Sequence, residues 1–215
     1  IMMGAHALRN IGFHLLEQTV TCRKWQDKFR GYRPERAAGI LGLPCDEAYI
    51  DVTYFGKQYR LACETGILEK EIEDGSWSPD LFMNEALVIY HLLGDVQDAP
   101  SVSGIWCPES ELDPVQVRSG NRMDPLMREF AKRCSGHQDV LEQKAVLLGG
   151  RRLEKGDAGF EFYPFPFFPV RLIFWEADED FPAQVQLLVD KNAAQYMHFE
   201  AVSFVLADLM TYIIF

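Results

Sequence analysis

The sequence predicts an α+β fold: a mainly antiparallel sheet built from two strand groups, at about residues 48–72 and 159–190, with helices packed on it. Three observations point there. AYIDVTYF and QYRLAC flank Gly56-Lys57 with apolar residues at alternate positions, which is the signature of a hairpin. The stretch 149–190 holds the densest run of β-branched and aromatic residues in the chain. Helical signals fall before, between and after these groups instead of alternating with single strands, so a parallel α/β sheet is disfavoured. The two groups are expected to join one sheet in a single domain, 1–215, with a long loop at about 95–123.

Local signals justify each element. Residues 5–20 carry Leu8, Ile11 and Leu15 at helical spacing. Pro34 opens a short helix that Gly42 stops. In the hairpin, a II′ turn at Gly56-Lys57 pairs Tyr54 with Tyr59, Val52 with Leu61 and Ile50 with Cys63. Those six then share one face, opposite Asp51, Thr53, Arg60 and Ala62. A further strand covers 67–72.

Ser78-Pro79-Asp80 offers a cap, a first-turn proline and an acid, so a helix is expected from there to about Leu93, ended by Gly94. Pro100, Gly104, Pro108, Pro114 and Gly120 mark the long loop. Asp124-Pro125 starts another helix, Gly136 separates it from a second, and Gly149-Gly150 ends that one. Pro164, Pro166 and Pro169 exclude a central ladder position just there, because proline has no N–H to donate. Val170 to Trp175 is apolar on both faces and reads as the central strand. Val185, Leu187 and Val189 share one face of the next strand. Residues 199–214 form a largely buried helix with Glu200, Ser203, Asp208 and Thr211 as its polar stripe.

Composition narrows the functional classes. Formal net charge is −11, which repels phosphate backbones and anionic membranes, so neither is expected as a partner; an unidentified protein or small molecule is. The only dense basic patch is Arg151, Arg152 and Lys155. Five cysteines, odd in number and never spaced C-x-x-C, read as reduced thiols in a reducing, cytoplasmic setting. No secretory leader or membrane-spanning run is expected. Phosphate-loop, dinucleotide-binding and nucleophile-elbow motifs do not occur.

The residues Gly149, Gly150, Gly156, Asp157, Pro166, Pro169, Trp175, Asp178, Asp180, Phe181, Pro182, Asp190, Ala194 and Tyr196 carry a resemblance. In this pattern the chain resembles the family known as domain of unknown function 3786. Ser103 to Trp106 and the helix around Tyr90 match it more loosely. The resemblance implies a cytoplasmic protein of anaerobic bacteria or archaea and carries no catalytic residues. The resemblance extends to relatives with a cysteine-rich segment that suggests an iron–sulfur cluster; the five cysteines here are scattered, so no cofactor is inherited.

Candidate ligand-binding residues are Trp175, Glu176, Asp178, Asp180, His198 and Glu200. An indole beside carboxylates suits a cationic or aromatic ligand. The acidic run matches no EF-hand spacing, and no metal set is expected. His198 and Glu200 form an H-x-E pair whose side chains diverge on a helix, so a plain helix start with acid in its first turn is the favoured reading. The chain is therefore expected to be a non-enzymatic binding or accessory protein. The alternatives are an enzyme, if Trp175, Asp178, His198 and Glu200 converge in one cleft, and a divalent-cation binder using the acidic loop.

Overall fold

The computed structural model describes residues 23–30, 34–112 and 125–214. The helix expected over 5–20 lies outside them. Residues 23–30 are helical (α1), followed by α2 (Pro34–Leu41). A four-stranded antiparallel meander comes next: β1 (Tyr49–Tyr54), β2 (Lys57–Ala62), β3 (Leu68–Glu71) and β4 (Trp77–Ser78). After α3 (Met83–Asp95), the long connection supplies β5 (Trp106–Cys107) and a 3-10 turn at Glu109–Glu111. Helices α4 (Pro125–Cys134) and α5 (Gln138–Leu147) lead into β6 (Arg151–Leu153), β7 (Ala158–Phe165), β8 (Phe168–Trp175) and β9 (Gln184–Asp190). The chain closes with α6 (Ala193–Tyr196) and α7 (Phe199–Ile214).

The α+β class holds, but the strand groups form two sheets. One has the order β1-β2-β3-β4 and the other β5-β9-β8-β7-β6, both antiparallel. They do not merge because β7 is interrupted where the hairpin reaches it. Its ladder with β8 shifts between Phe162 and Phe165, around Pro164. Among the described residues, one backbone hydrogen bond crosses there, from Phe55 N–H to the Pro164 carbonyl at 2.8 Å. The buried apolar residues of both sheets nevertheless form one cluster. β8 is the middle strand of its sheet, as its two apolar faces require.

The hairpin turn differs from expectation in a way that leaves the faces intact. Tyr54 pairs with Lys57, Val52 with Tyr59 and Ile50 with Leu61, a slip of two residues. A slip of two keeps every side chain on its predicted side. The turn residues are Phe55 and Gly56, with φ of 45° and 74°, a I′ turn in place of II′. A phenylalanine in the left-handed region is costly. Its burial offsets that cost: the ring meets Tyr54 at 4.9 Å and Tyr212 at 5.2 Å between centroids, both edge-on.

Three further expectations change. Ser78 does not cap α3: it is the last strand residue, paired with Lys70, so the helix starts only at Met83. Gly94 lies inside the helix, which ends at Asp95. Asp208, placed by sequence on a polar stripe, is buried. It accepts hydrogen bonds from the Tyr54 hydroxyl (2.8 Å) and the Asn84 amide (3.2 Å), joining the hairpin, α3 and α7.

Burial pushes the Asp208 carboxyl up to about 6, against the two hydrogen bonds and with help from the charge on Glu85. Its folded value lies above its unfolded value, so the folded state holds the extra proton between about pH 4 and 6. Stability is fully present below that window and is lost as pH rises through about 6. Urea unfolding of wild type and Asp208→Asn should therefore diverge with pH. At pH 8 the variant should be the more stable, by about 2 kcal/mol, with the gap closing near pH 4; a gap constant with pH refutes the shift. Separately, Phe55→Asn places a favoured I′ residue in the turn but removes a buried ring. It should cost about 2 kcal/mol, and an unchanged urea midpoint would show that backbone strain outweighs packing.

Candidate functional site at the α3–α7 corner

The six residues named from sequence fall on two separate surfaces. Trp175 and Glu176 end β8 beside the α4–α5 turn: Glu176 accepts from the Ser135 hydroxyl, and from the Gly136 N–H at 2.8 Å. Those hydrogen bonds, the Ser135 one foremost, hold its carboxyl below the ordinary range. Asp178 accepts from the N–H groups of Asp180 (2.9 Å) and Phe181 (2.7 Å), shaping the loop. The Glu176 and Asp178 carboxylates are engaged with N–H and O–H donors of their own surroundings, and among the described residues this loop supplies no group whose spacing suits an ion. A cavity of about 320 Å³ nearby is lined by Arg133, Cys134, His137 and the α7 C-terminal residues Ile213 and Ile214.

His198 and Glu200 lie at the opposite end of α7. The helix has 16 residues, and at about 1.5 Å per residue its ends stand roughly 24 Å apart. Trp175 and Asp178 therefore do not converge with His198 and Glu200 in one cleft, and the enzyme alternative built on that convergence loses its geometry. The reason is topological: β8 and α7 each carry one half of the set at an end remote from the other.

What meets His198 is the last turn of α3. The rings of His91 and His198 stack at 5.2 Å with an interplanar angle of 12°. His91 Nδ1 lies 2.7 Å from an Asp95 carboxylate oxygen, one helical turn on, and its Nε2 lies 3.7 Å from Glu200. Lys28 of α1 pairs with Asp95 at 3.2 Å and stands over the Trp25 ring at 4.1 Å. Trp25 meets His91 edge-on at 4.7 Å. A side chain at Gly94 would strike Trp25, since a Cβ there comes within 2.8 Å of the indole; the small residue inside α3 lets α1 seat on this corner. Burial raises the Asp95 carboxyl, but the His91 hydrogen bond and the Lys28 ammonium together outweigh it and leave the net value lowered. One potential ligand atom each from His91, Asp95 and His198 lies within 4.8 Å of the others.

The favoured reading of His198 and Glu200 is also present. α7 begins at Phe199, and the Glu200 N–H donates to His198 Nδ1 at 3.4 Å. Sequence reasoning missed His91 and Asp95. Their i, i+4 spacing on a predicted helix was visible, but nothing local announced a histidine from 107 positions away (91 against 198).

Two other buried carboxylates, Asp190 and Glu85, have partners of their own. Asp190, buried at the end of β9, accepts from the N–H groups of Ser103 (3.0 Å), Gly104 (2.8 Å) and Asn192 (2.9 Å), and from the Ser103 hydroxyl. It thereby ties the 101–105 segment to the sheet. Glu85, also buried, accepts from Tyr212 (2.6 Å) and faces Lys57 and Lys70 at 3.4 and 3.3 Å. In the basic patch, Arg151 pairs with Glu161 and Arg152 with Glu142.

The family model described as Domain of unknown function (DUF3786) matches residues 33–212. The chain belongs to that family. The match spans both sheets, α3 and α7, so the α3–α7 corner lies within it, apart from α1. No curated protein and no solved structure matches the chain.

Proposed function

We propose that the protein is a binding or accessory protein whose working surface is the α3–α7 corner. The observation that carries this is the meeting of two imidazoles and two carboxylates, from helices distant in sequence, at a partly open position. The thiols support binding over covalent chemistry. Burial, as the leading cause, raises all four described cysteines, Cys63 and Cys134 to about 11, whereas a nucleophilic cysteine needs a lowered value. A cytoplasmic setting in an anaerobic microbe fits reduced thiols and the family resemblance. No helix among the described residues is long and apolar enough to cross a membrane. The acidic balance and the paired Arg151 and Arg152 argue against nucleic acid as the ligand.

A second surface is favoured by one observation. Phe181 and Trp175 are exposed at 62% and 38% beside Glu176, Asp178, Glu179 and Asp180. A protein partner contacting this loop is the alternative reading.

Native mass spectrometry of gently purified protein tests the main one. Wild type should carry a bound species that a His91→Ala/His198→Ala variant lacks, with both chains folded by circular dichroism. Identical bound mass in the two, or none in either, would contradict it.

A further inference from the structure

We infer that the occupant of this corner is a divalent late transition-metal ion, held by His91, His198 and Asp95, with Glu200 in reach as a further oxygen ligand. The inference rests on the corner being the binding surface and adds the class of its ligand.

The donor set decides the class. Calcium and magnesium ask for about six oxygens, and this corner offers two imidazoles first. Two nitrogens with one carboxylate suit zinc, iron(II), cobalt or nickel. The distances are those of an open site. With metal–ligand bonds of about 2.1 Å, neighbouring ligand atoms in a tetrahedral shell stand roughly 3.4 Å apart. The three ligand atoms here lie within 4.8 Å of one another, and Glu200 stands 3.7 Å from His91 Nε2. Drawing these atoms into one shell requires rotation of the His91, His198 and Asp95 side chains, since the two rings lie stacked at 5.2 Å.

The existing contacts favour a cation at this point. Asp95 holds the Lys28 ammonium at 3.2 Å, so a cation is already accommodated beside this carboxylate, and an ion bound there displaces that half-exposed lysine. Asp95 already stands 2.7 Å from His91 Nδ1, and both are carried by α3, so an ion taken up by the two replaces that hydrogen bond without moving the helix. Trp25 and Phe199 wall the site at 4.7 Å from His91 and 4.8 Å from His198. The other buried carboxylates, Glu85, Glu161 and Asp190, are each matched by lysine, arginine or backbone N–H partners and have no imidazole among them. Among the described residues, this corner is the group of three or more His, Cys, Asp or Glu side chains whose spacing suits an ion.

The test uses the full chain, stripped with chelator and titrated calorimetrically with Zn²⁺, with Mg²⁺ as the hard-cation control. Wild type should bind one Zn²⁺ per chain and give no Mg²⁺ heat. His91→Ala and His198→Gln should each weaken Zn²⁺ at least about tenfold, and Asp95→Asn by a similar factor. His137→Ala, remote at the α4–α5 turn, should leave it unchanged. Because a binding defect can follow from misfolding, Co²⁺ provides a second readout. Its visible d–d bands should appear in wild type and in His137→Ala and be lost in folded His198→Gln. Equal Zn²⁺ affinity in wild type and the His91 and His198 variants, or no Zn²⁺ binding by wild type, overturns the metal assignment. If wild type takes no Zn²⁺ yet retains a species that the double-alanine variant loses, only the metal assignment falls. If it retains nothing, the binding reading falls with it.

Discussion

Helix α7 is apolar on most of its circumference and has to be enclosed. Ala201, Val202, Val205, Leu206, Leu209, Met210 and Ile213 are all buried, and so is its one interior carboxylate, Asp208. Removing that many methyl and methylene groups from water is a large favourable contribution to folding. It cannot be satisfied by one neighbour. α3 packs along the helix, α4 and α5 cover it from the side of the larger sheet, and the β1–β2 hairpin meets it through Tyr54 and Phe55. The rest of the arrangement follows, including the position of α7's first residues against the last turn of α3. The corner with two histidines is a consequence of enclosing a hydrophobic helix.

The same enclosure sorts the charged groups. Those trapped inside have had to find partners, because an unpaired buried charge is far more costly than an exposed one. Glu161 sits between Arg151 and Arg171; Glu85 sits among Lys57, Lys70 and Tyr212; Asp190 is covered by backbone N–H donors. Asp208 has two neutral donors and stays poorly matched to a full charge, and burial raises its carboxyl to about 6. At the corner, solvent access relieves this pressure, and side chains with spare coordinating capacity persist there. His91 and His198 lie against each other without a shared proton acceptor of their own, and Asp95 divides its oxygens between His91 and Lys28.

Much of this fold was legible because its cues are local. The alternation in β1 and β2 fixed which side chains face inward, even though burial of Phe55 moved the turn by one residue and the pairing by two. The two apolar faces of Val170 to Trp175 placed β8 mid-sheet, and Pro125, Gly136 and Gly149 marked helix limits that hold to within a residue or two. What escaped was non-local. Ser78 has the chemistry of a helix cap, but pairing with Lys70 claims it for a strand. Asp208 lies in line with polar neighbours on a helical projection, but the hairpin covers it. Separation into two sheets depends on a bulge at Pro164 that periodicity does not announce. Of the candidate site, His198 and Glu200 were visible as a short motif, whereas His91 and Asp95 gain meaning only once α3 and α7 touch.

That α7 unites both sheets in one core is the claim on which the corner's geometry depends. Native-state hydrogen exchange measures it directly. If the core is shared, the slowest amides of β1–β2 and those of β8 open with the same free energy, within about 1 kcal/mol. Hairpin amides that open several kcal/mol more easily while β8 stays protected would show two independent units and contradict the account.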